Sequence, residues 1–220
     1  MNRCLYYTAL MSLCVQMENV GEKVQAESSV SFGCEPDTQL VLYDPSKLLP
    51  MHRPKLRYEI CNRTIEIEQE WAELGLSGVV WDAAPFLSYY LEKFPSIIEG
   101  KRVIELGAGT GLVGMVSNML GAHEVAVTDM KTASAERNVR LNRHNLINDC
   151  IEVSHLEWGK DISHFNPPFD VILAADVIYV EEGFDLLLST FLAQVAVENR
   201  FRSSIVSSQG KLSIYQLVKL

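Results

Sequence analysis

From residue 81 onward, short apolar runs alternate with stretches whose apolar residues recur at helical spacing, and this alternation fixes the fold class. Asp82 stands where it can cap a helix carrying Ala83, Leu87, Tyr90, Leu91 and Phe94 on one face. Arg102 to Leu106 reads as a buried strand. Leu112, Met115, Val116, Met119 and Leu120 follow the i, i+3, i+4, i+7, i+8 rule, so a helix starts near Gly111. Further strands fall at Val125–Thr128, around Ile151 and Val153, and at Val171–Ala175, where the unbroken apolar run implies burial on both faces. Helices fall near 132–143 and on the spacing of Phe184, Leu187, Leu188, Phe191, Leu192 and Val195. Strands separated by helices predict an α/β fold with a mainly parallel sheet and right-handed crossovers. In such sheets ligands lie beyond the carboxyl ends of the strands, so the residues just after each strand are the ones to inspect.

After the first of these strands comes Glu105-Leu106-Gly107-Ala108-Gly109-Thr110-Gly111. Three glycines at alternate positions let the backbone turn sharply and approach a ligand without Cβ interference, and the next helix opens with free N–H groups. Two nucleoside cofactors suit this geometry. A dinucleotide fits the frame Gly109-x-Gly111-x-x-Gly114, but its first glycine belongs directly after the strand. Gly107 holds that place, and the frame that starts there has Leu112 in the third glycine position. Glu105 would also be a poor neighbour for a pyrophosphate. S-adenosylmethionine carries an ammonium and a sulfonium instead of phosphates, so an acid beside the loop suits it. The loop favours this second reading.

Asp129 follows the second strand 20 positions after Gly109, a spacing suited to a carboxylate accepting ribose hydroxyls. A helix-capping role is its plainer alternative. Trp158, in Leu156-Glu157-Trp158-Gly159, sits where an indole can pack on adenine or simply fill the core. Trp81, in Val79-Val80-Trp81-Asp82, stands just ahead of a helix, while Trp71 reads as hairpin packing. Asp176 closes the apolar strand after Ala175 and begins Asp176-Val177-Ile178-Tyr179. A carboxylate there faces either a cleft or the N–H groups of the next helix.

The charged residues, 19 basic against 28 acidic, give a net charge of −9, which disfavours sequence-independent nucleic-acid binding. Five cysteines without C-x-x-C spacing indicate neither a disulfide framework nor a thiolate zinc site, and no other metal motif appears. Residues 4–15 form a largely apolar run, too short to span a bilayer. It is compatible with a secretory h-region, without a small-x-small cleavage site, or with an extension ahead of a start at Met17. Residues 1–53 are read as a mostly disordered extension and 54–220 as the folded domain. Alternation at Tyr58, Ile60, Ile65 and Ile67 around Asn62 and Arg63 predicts a hairpin, covering a core edge or presenting a surface.

In order along the chain, Val79-Val80-Trp81-Asp82-Ala83-Ala84, Glu105 to Gly111, Asp129, Leu-Glu-Trp-Gly and Asp176-x-x-Tyr179 resemble the methyltransferase-like protein-lysine methyltransferases of the seven-strand class. The resemblance covers roughly residues 54–195 and is closest to the branch acting on seventy-kilodalton heat-shock chaperones. It implies a Rossmann-like class I sheet with flanking helices and S-adenosyl-L-methionine as methyl donor. Trp81, Glu105, Gly107, Ala108, Gly109, Gly111, Asp129, Trp158 and Ala175 would surround the donor, and Asp176 and Tyr179 would face the incoming lysine. It implies a protein substrate in cytoplasm or nucleus, with no nucleic-acid or membrane partner. The chain departs from the family pattern at its end. Glu198–Leu220 supplies one strand and a short end, so the sheet lacks its last antiparallel pair and exposes an edge. The alternatives left open are methylation of another protein or a small molecule, hydride transfer with a nicotinamide cofactor, and a truncated chaperone binder without catalysis.

Overall fold

The computed structural model describes residues 5–8, 48–179, 181–193, 201–209 and 212–219, the first and the last two of these segments by backbone only. The expectation of a disordered tail falls largely on residues outside this set, as does Val195. The elements are β1 (Leu5–Thr8), β2 (Lys55–Ile60), β3 (Arg63–Glu68), α1 (Trp71–Leu74), α2 (Ala83–Lys93), β4 (Arg102–Leu106), α3 (Leu112–Met119) and β5 (Glu124–Asp129). They continue with α4 (Ala133–Leu141), β6 (Ile151–His155), β7 (Val171–Ala174), α5 (Phe184–Ala193), β8 (Phe201–Gln209) and β9 (Leu212–Lys219).

Strands β4 to β7 form a parallel four-stranded sheet in the order β6-β5-β4-β7. The chain builds outward from β4 to β6 and then crosses to the other side of β4. The order therefore reverses at β4, and the glycine turn that follows it lies at the switch point where α/β sheets bind ligands. Leu106 pairs with Thr128 on one side and Ala174 on the other. That register brings Asp129 and Ala175–Asp176 to either flank of the turn.

β7 is apolar throughout and the middles of β4 and β5 nearly so, because each face has its own cover, whereas β6 alternates and exposes Glu152 and His155. Val103, Val125, Val127, Val171 and Leu173 join the core beneath α2, α3 and the β2–β3 hairpin. Ile104, Leu106, Ala126, Ile172 and Ala174 join the core with Phe165, Phe169, Leu187 and Phe191. The period-2 pleat sorts neighbours to opposite sides. On α5 the buried positions are Leu187, Thr190 and Phe191, whereas Phe184, Leu188 and Leu192 are exposed. All eight residues of α3 are buried.

The hairpin covers the core: Ile60, Ile65 and Ile67 are fully buried. Its turn residues are Cys61 and Asn62, both at φ 56°, with Arg63 already in the strand. It is docked by asparagines that behave as an extra strand. Asn142 accepts from Glu66 N–H (3.0 Å) and donates to Glu66 O (2.7 Å). Asn138 accepts from Glu68 N–H (2.8 Å) and donates to Glu68 O (3.2 Å), and Asn145 donates to Thr64 O (2.8 Å). Side-chain amides thus satisfy the β3 edge that a neighbouring strand would otherwise pair.

Three expectations are corrected. Trp71, read as hairpin packing, is no buried packing residue: it starts α1 and is 44% exposed. Asp82 occupies the N-cap position of α2, but its side chain makes no capping bond. The chain after Glu198 forms two strands, not one. β8 and β9 pair antiparallel with a register shift between Ile205 and Ser207, and β9 also pairs with β1. They form a separate three-stranded sheet. Phe201 and the β-branched pair Ile205-Val206 are the residues of 201–209 that favour extended backbone.

Candidate active site

The turn after β4 is made by glycines in the left-handed region: Gly107 at φ 66°, Gly109 at 53° and Gly111 at 79°. Space as well as conformation demands glycine at the first position. A Cβ on Gly107 would lie 2.8 Å from Val177 Cγ1 and 3.3 Å from the Trp158 ring. The turn is tied to β5 at two points. Ala108 N–H donates to Thr128 O (2.9 Å), and Gly109 N–H donates to Asp129 Oδ2 (2.8 Å). Asp129 Oδ1 accepts from Lys131 N–H (2.9 Å). Each Asp129 oxygen keeps a further lone pair, so the carboxylate is held in one orientation and still has acceptor capacity.

Glu105 lies elsewhere than a ligand-facing acid. Odd positions of β4 face α3, and Glu105 points that way with Val103. It is 3% exposed, and its Oε2 accepts the Gly114 N–H (2.8 Å). Burial pushes its carboxyl up to about 8, against the lowering effect of the Gly114 N–H and with a small addition from Asp129. Near neutral pH it is therefore mostly uncharged, and the objection it raised to a pyrophosphate loses force. Its main work is to receive the first turn of α3. Gly114 serves the same contact, since a Cβ there would lie 2.4 Å from Val127 Cγ2 and 2.8 Å from the Glu105 carboxylate.

Trp158 lies beside the turn, and Trp81 is linked to it through the Leu76–Ser77 segment. Trp158 is half-buried and packs against the core on the α5 side, with its ring beside Gly107 and Gly183. Trp81, also half-buried, donates its indole N–H to Leu76 O (3.0 Å). Across the turn, Ala175 is half-buried and leads into Asp176, which adopts φ 58°. A non-glycine residue in that region costs of order 1–3 kcal/mol and concentrates at functional positions. Asp176 is half-buried, and among the described residues its carboxylate has no hydrogen-bond partner. Helix N–H groups therefore do not satisfy it, as one reading of the sequence allowed. Burial, and then the nearby Asp82, raise its carboxyl above the ordinary aspartate range. Tyr179 is 63% exposed and within electrostatic reach of Asp129.

The structure thus brings Trp81, Gly107, Ala108, Gly109, Asp129, Trp158, Ala175, Asp176 and Tyr179 to one edge of the sheet, with Gly111 at the N-cap of α3 and Glu105 beneath. Sequence reasoning missed Val177, which fills the space below Gly107, and the segment at Leu76–Ser77, which lies against Trp81 and Gly109. The glycine pair Gly75 and Gly78 was the available signal for that segment. Among the described residues no cluster of three or more His, Cys, Asp or Glu could hold a metal ion, and no helix is long and apolar enough to cross a membrane.

The sequence profile of the lysine methyltransferase family matches residues 60–210. Protein N-lysine methyltransferase METTL21A of Mus musculus is 44% identical over 157 residues, covering 69% of this chain and 72% of that protein. EEF1A lysine methyltransferase 3 of Xenopus tropicalis is 38% identical over 134 residues, covering 60% and 59%. Among solved structures, a Thermus thermophilus 16S rRNA methyltransferase in complex with AdoMet and guanosine superposes with a TM-score of 0.54 over 76% of this chain and 50% of that one. At 15% identity that likeness speaks for the fold alone. The chain belongs to the lysine methyltransferase family: it is similar to protein N-lysine methyltransferases and has the Rossmann-like fold of S-adenosylmethionine-dependent methyltransferases.

Proposed function

We propose that this chain methylates a lysine of a seventy-kilodalton heat-shock chaperone in the cytoplasm or nucleus, using S-adenosylmethionine held by the Gly107–Gly111 turn. One observation carries the acceptor side: Asp176, half-buried, left-handed and without a hydrogen-bond partner among the described residues, stands at the sheet edge across the turn from Asp129. A carboxylate in that state suits a cationic guest.

The donor supplies a methyl carbon activated by the sulfonium. The protein supplies placement. Gly107, Ala108 and Gly109 expose backbone at the turn, and Asp129 offers oriented oxygens to ribose hydroxyls. Trp158 and Trp81 offer flat apolar faces. Asp176 attracts the lysine ammonium and orients it, with Tyr179 shaping the approach. The carboxylate does not itself help proton loss, since an anion favours the charged form of the amine. Releasing the proton from a lysine of reference pKa about 10.4 at pH 7 costs roughly 4.6 kcal/mol. Desolvation of the lysine side chain in the site opposes its charge and lowers that cost. Proper alignment of nitrogen and carbon then governs the rate.

A second substrate is favoured by one finding, the 38% identity with an EEF1A lysine methyltransferase. A methylation assay with labelled donor, run on purified seventy-kilodalton chaperone and on elongation factor 1A, separates the two. Label confined to the chaperone supports the proposal, and label confined to the elongation factor replaces it.

A further inference from the structure

Residues 70–78 form a strap beside the glycine turn. Its neck is closed by Glu70 N–H donating to Gly78 O (2.9 Å). Gln69 anchors the base, accepting from Val80 N–H and donating to the carbonyls of Pro50 and Arg53, all at 2.7 Å. Two glycines shape it. Gly75 has φ 62° and ψ −133°, a conformation side-chain-bearing residues avoid, with open space where a Cβ would be. A Cβ on Gly78 would lie 2.3 Å from Glu70 O.

The tip of the strap rests on the glycine turn. A Cβ on Gly109 would lie 3.4 Å from Ser77 O and 3.8 Å from Ser77 Cα. Leu76 O receives the Trp81 indole N–H. Two cations tie the strap to α4 and its approach. Arg137 pairs with Glu70, and Lys131 Nζ reaches Leu74 O (3.5 Å). Lys131 is also the residue whose N–H fixes Asp129. Thus Gly109, Asp129 and Trp81, three of the proposed donor contacts, each touch the strap directly or through one residue. Yet α1 buries no side chain, and Trp71 and Leu76 face solvent. A segment held by polar ties rather than core packing opens at low cost.

We propose that Glu70–Gly78 is a hinged wall of the donor site, with Leu76 and Ser77 touching the bound donor and Arg137 and Lys131 acting as positioning residues that hold the wall against it. This rests on the reading that the Gly107–Gly111 turn holds S-adenosylmethionine, and the test keeps the two apart. The strap gives the chain a way to admit the donor and release the demethylated product without disturbing the turn.

The test uses the full chain, with calorimetric affinity, stopped-flow release and hydrogen exchange of the 70–80 amides measured with S-adenosylhomocysteine, and KM and kcat measured by turnover with S-adenosylmethionine. The ligand should slow exchange at Glu70 and Leu74 in the wild type. Arg137→Gln, an exposed change that leaves the core intact, should speed release and raise the donor KM about three- to fivefold, the loss of one surface ion pair, while shifting kcat less than twofold. Gly75→Ala, which meets no neighbour and only strains the backbone, should do so about tenfold. Tight binding by the wild type with no strap protection and unchanged release in both variants would overturn the wall and leave the donor reading intact. Failure of the wild type to bind would overturn the donor reading, and the wall with it.

Discussion

The N–H of Gly109 donates to Oδ2 of Asp129 across 2.8 Å, so the glycine turn and the ribose-side acid are one unit rather than two neighbouring features. Removing the carboxylate frees the turn and deletes the acceptors together. Asp129→Ala should weaken S-adenosylhomocysteine binding about 10- to 100-fold, in line with losing one or two hydrogen bonds to a charged group. Isothermal calorimetry checks this, and equal affinity would remove Asp129 from the site.

Gly107 has both a left-handed backbone and a neighbour in the way. Gly107→Ala should destabilise the fold by about 1–3 kcal/mol, because the methyl would meet Val177 Cγ1 at 2.8 Å while the backbone is strained. Chemical denaturation of the two proteins measures the difference. Donor affinity should fall with it.

Glu105 makes a prediction about pH. Its folded carboxyl is raised from 4.5 to about 8, so between these values the native state keeps a proton that the unfolded chain releases. Its contribution is fully present below the unfolded value and is lost as pH rises through about 8. Glu105→Gln keeps an acceptor for Gly114 N–H and cannot ionise. It should raise the melting temperature at pH 9, by a stability gain on the order of a few kcal/mol, and leave it little changed near pH 4. Thermal melts across this range would show parallel curves if the burial argument were wrong.

Much of this was legible in the sequence, and the reason is physical. β7 and the middles of β4 and β5 announce themselves because burial on both faces leaves few polar positions to blur them, whereas β6 shows only its two apolar residues, Ile151 and Val153. The glycine turn is legible because its backbone excludes other residues. Glu105 was misplaced for want of counting the pleat: two residues before the turn it shares a side with Val103, beneath α3. The asparagine ladder on β3 was not visible, because Asn138, Asn142 and Asn145 look like ordinary polar positions of a helix until the strand they pair with is placed. The strands after residue 200 are undercounted because Phe201–Gln209, with four serines and no period-2 pattern, is a weak signal beside the apolar runs upstream.

That ladder is itself testable. Asn142→Ala leaves both backbone groups of Glu66 without their side-chain partners and should cost about 2 kcal/mol. Urea denaturation should register it, and Asn142→Asp should recover only the part due to the Glu66 N–H.

Asp82 and Asp176 are coupled by charge. Removing the first should lower the carboxyl of the second toward the ordinary range. If ionised Asp176 captures the lysine, activity falls as pH drops through its raised value, and Asp82→Asn should move that acid limb of kcat/KM to lower pH. A limb that stays in place would separate Asp82 from the acceptor side.

The most direct measurement is mass spectrometry of a purified seventy-kilodalton chaperone after incubation with S-adenosylmethionine and either the wild-type chain or Asp176→Asn, with donor binding measured in both. The account predicts equal donor affinity, a methylated lysine with the wild type and at least about 100-fold less with the variant, the loss expected when a reacting group is no longer placed. Equal methylation by both proteins, or donor binding by the wild type with every lysine left unmodified, would contradict it.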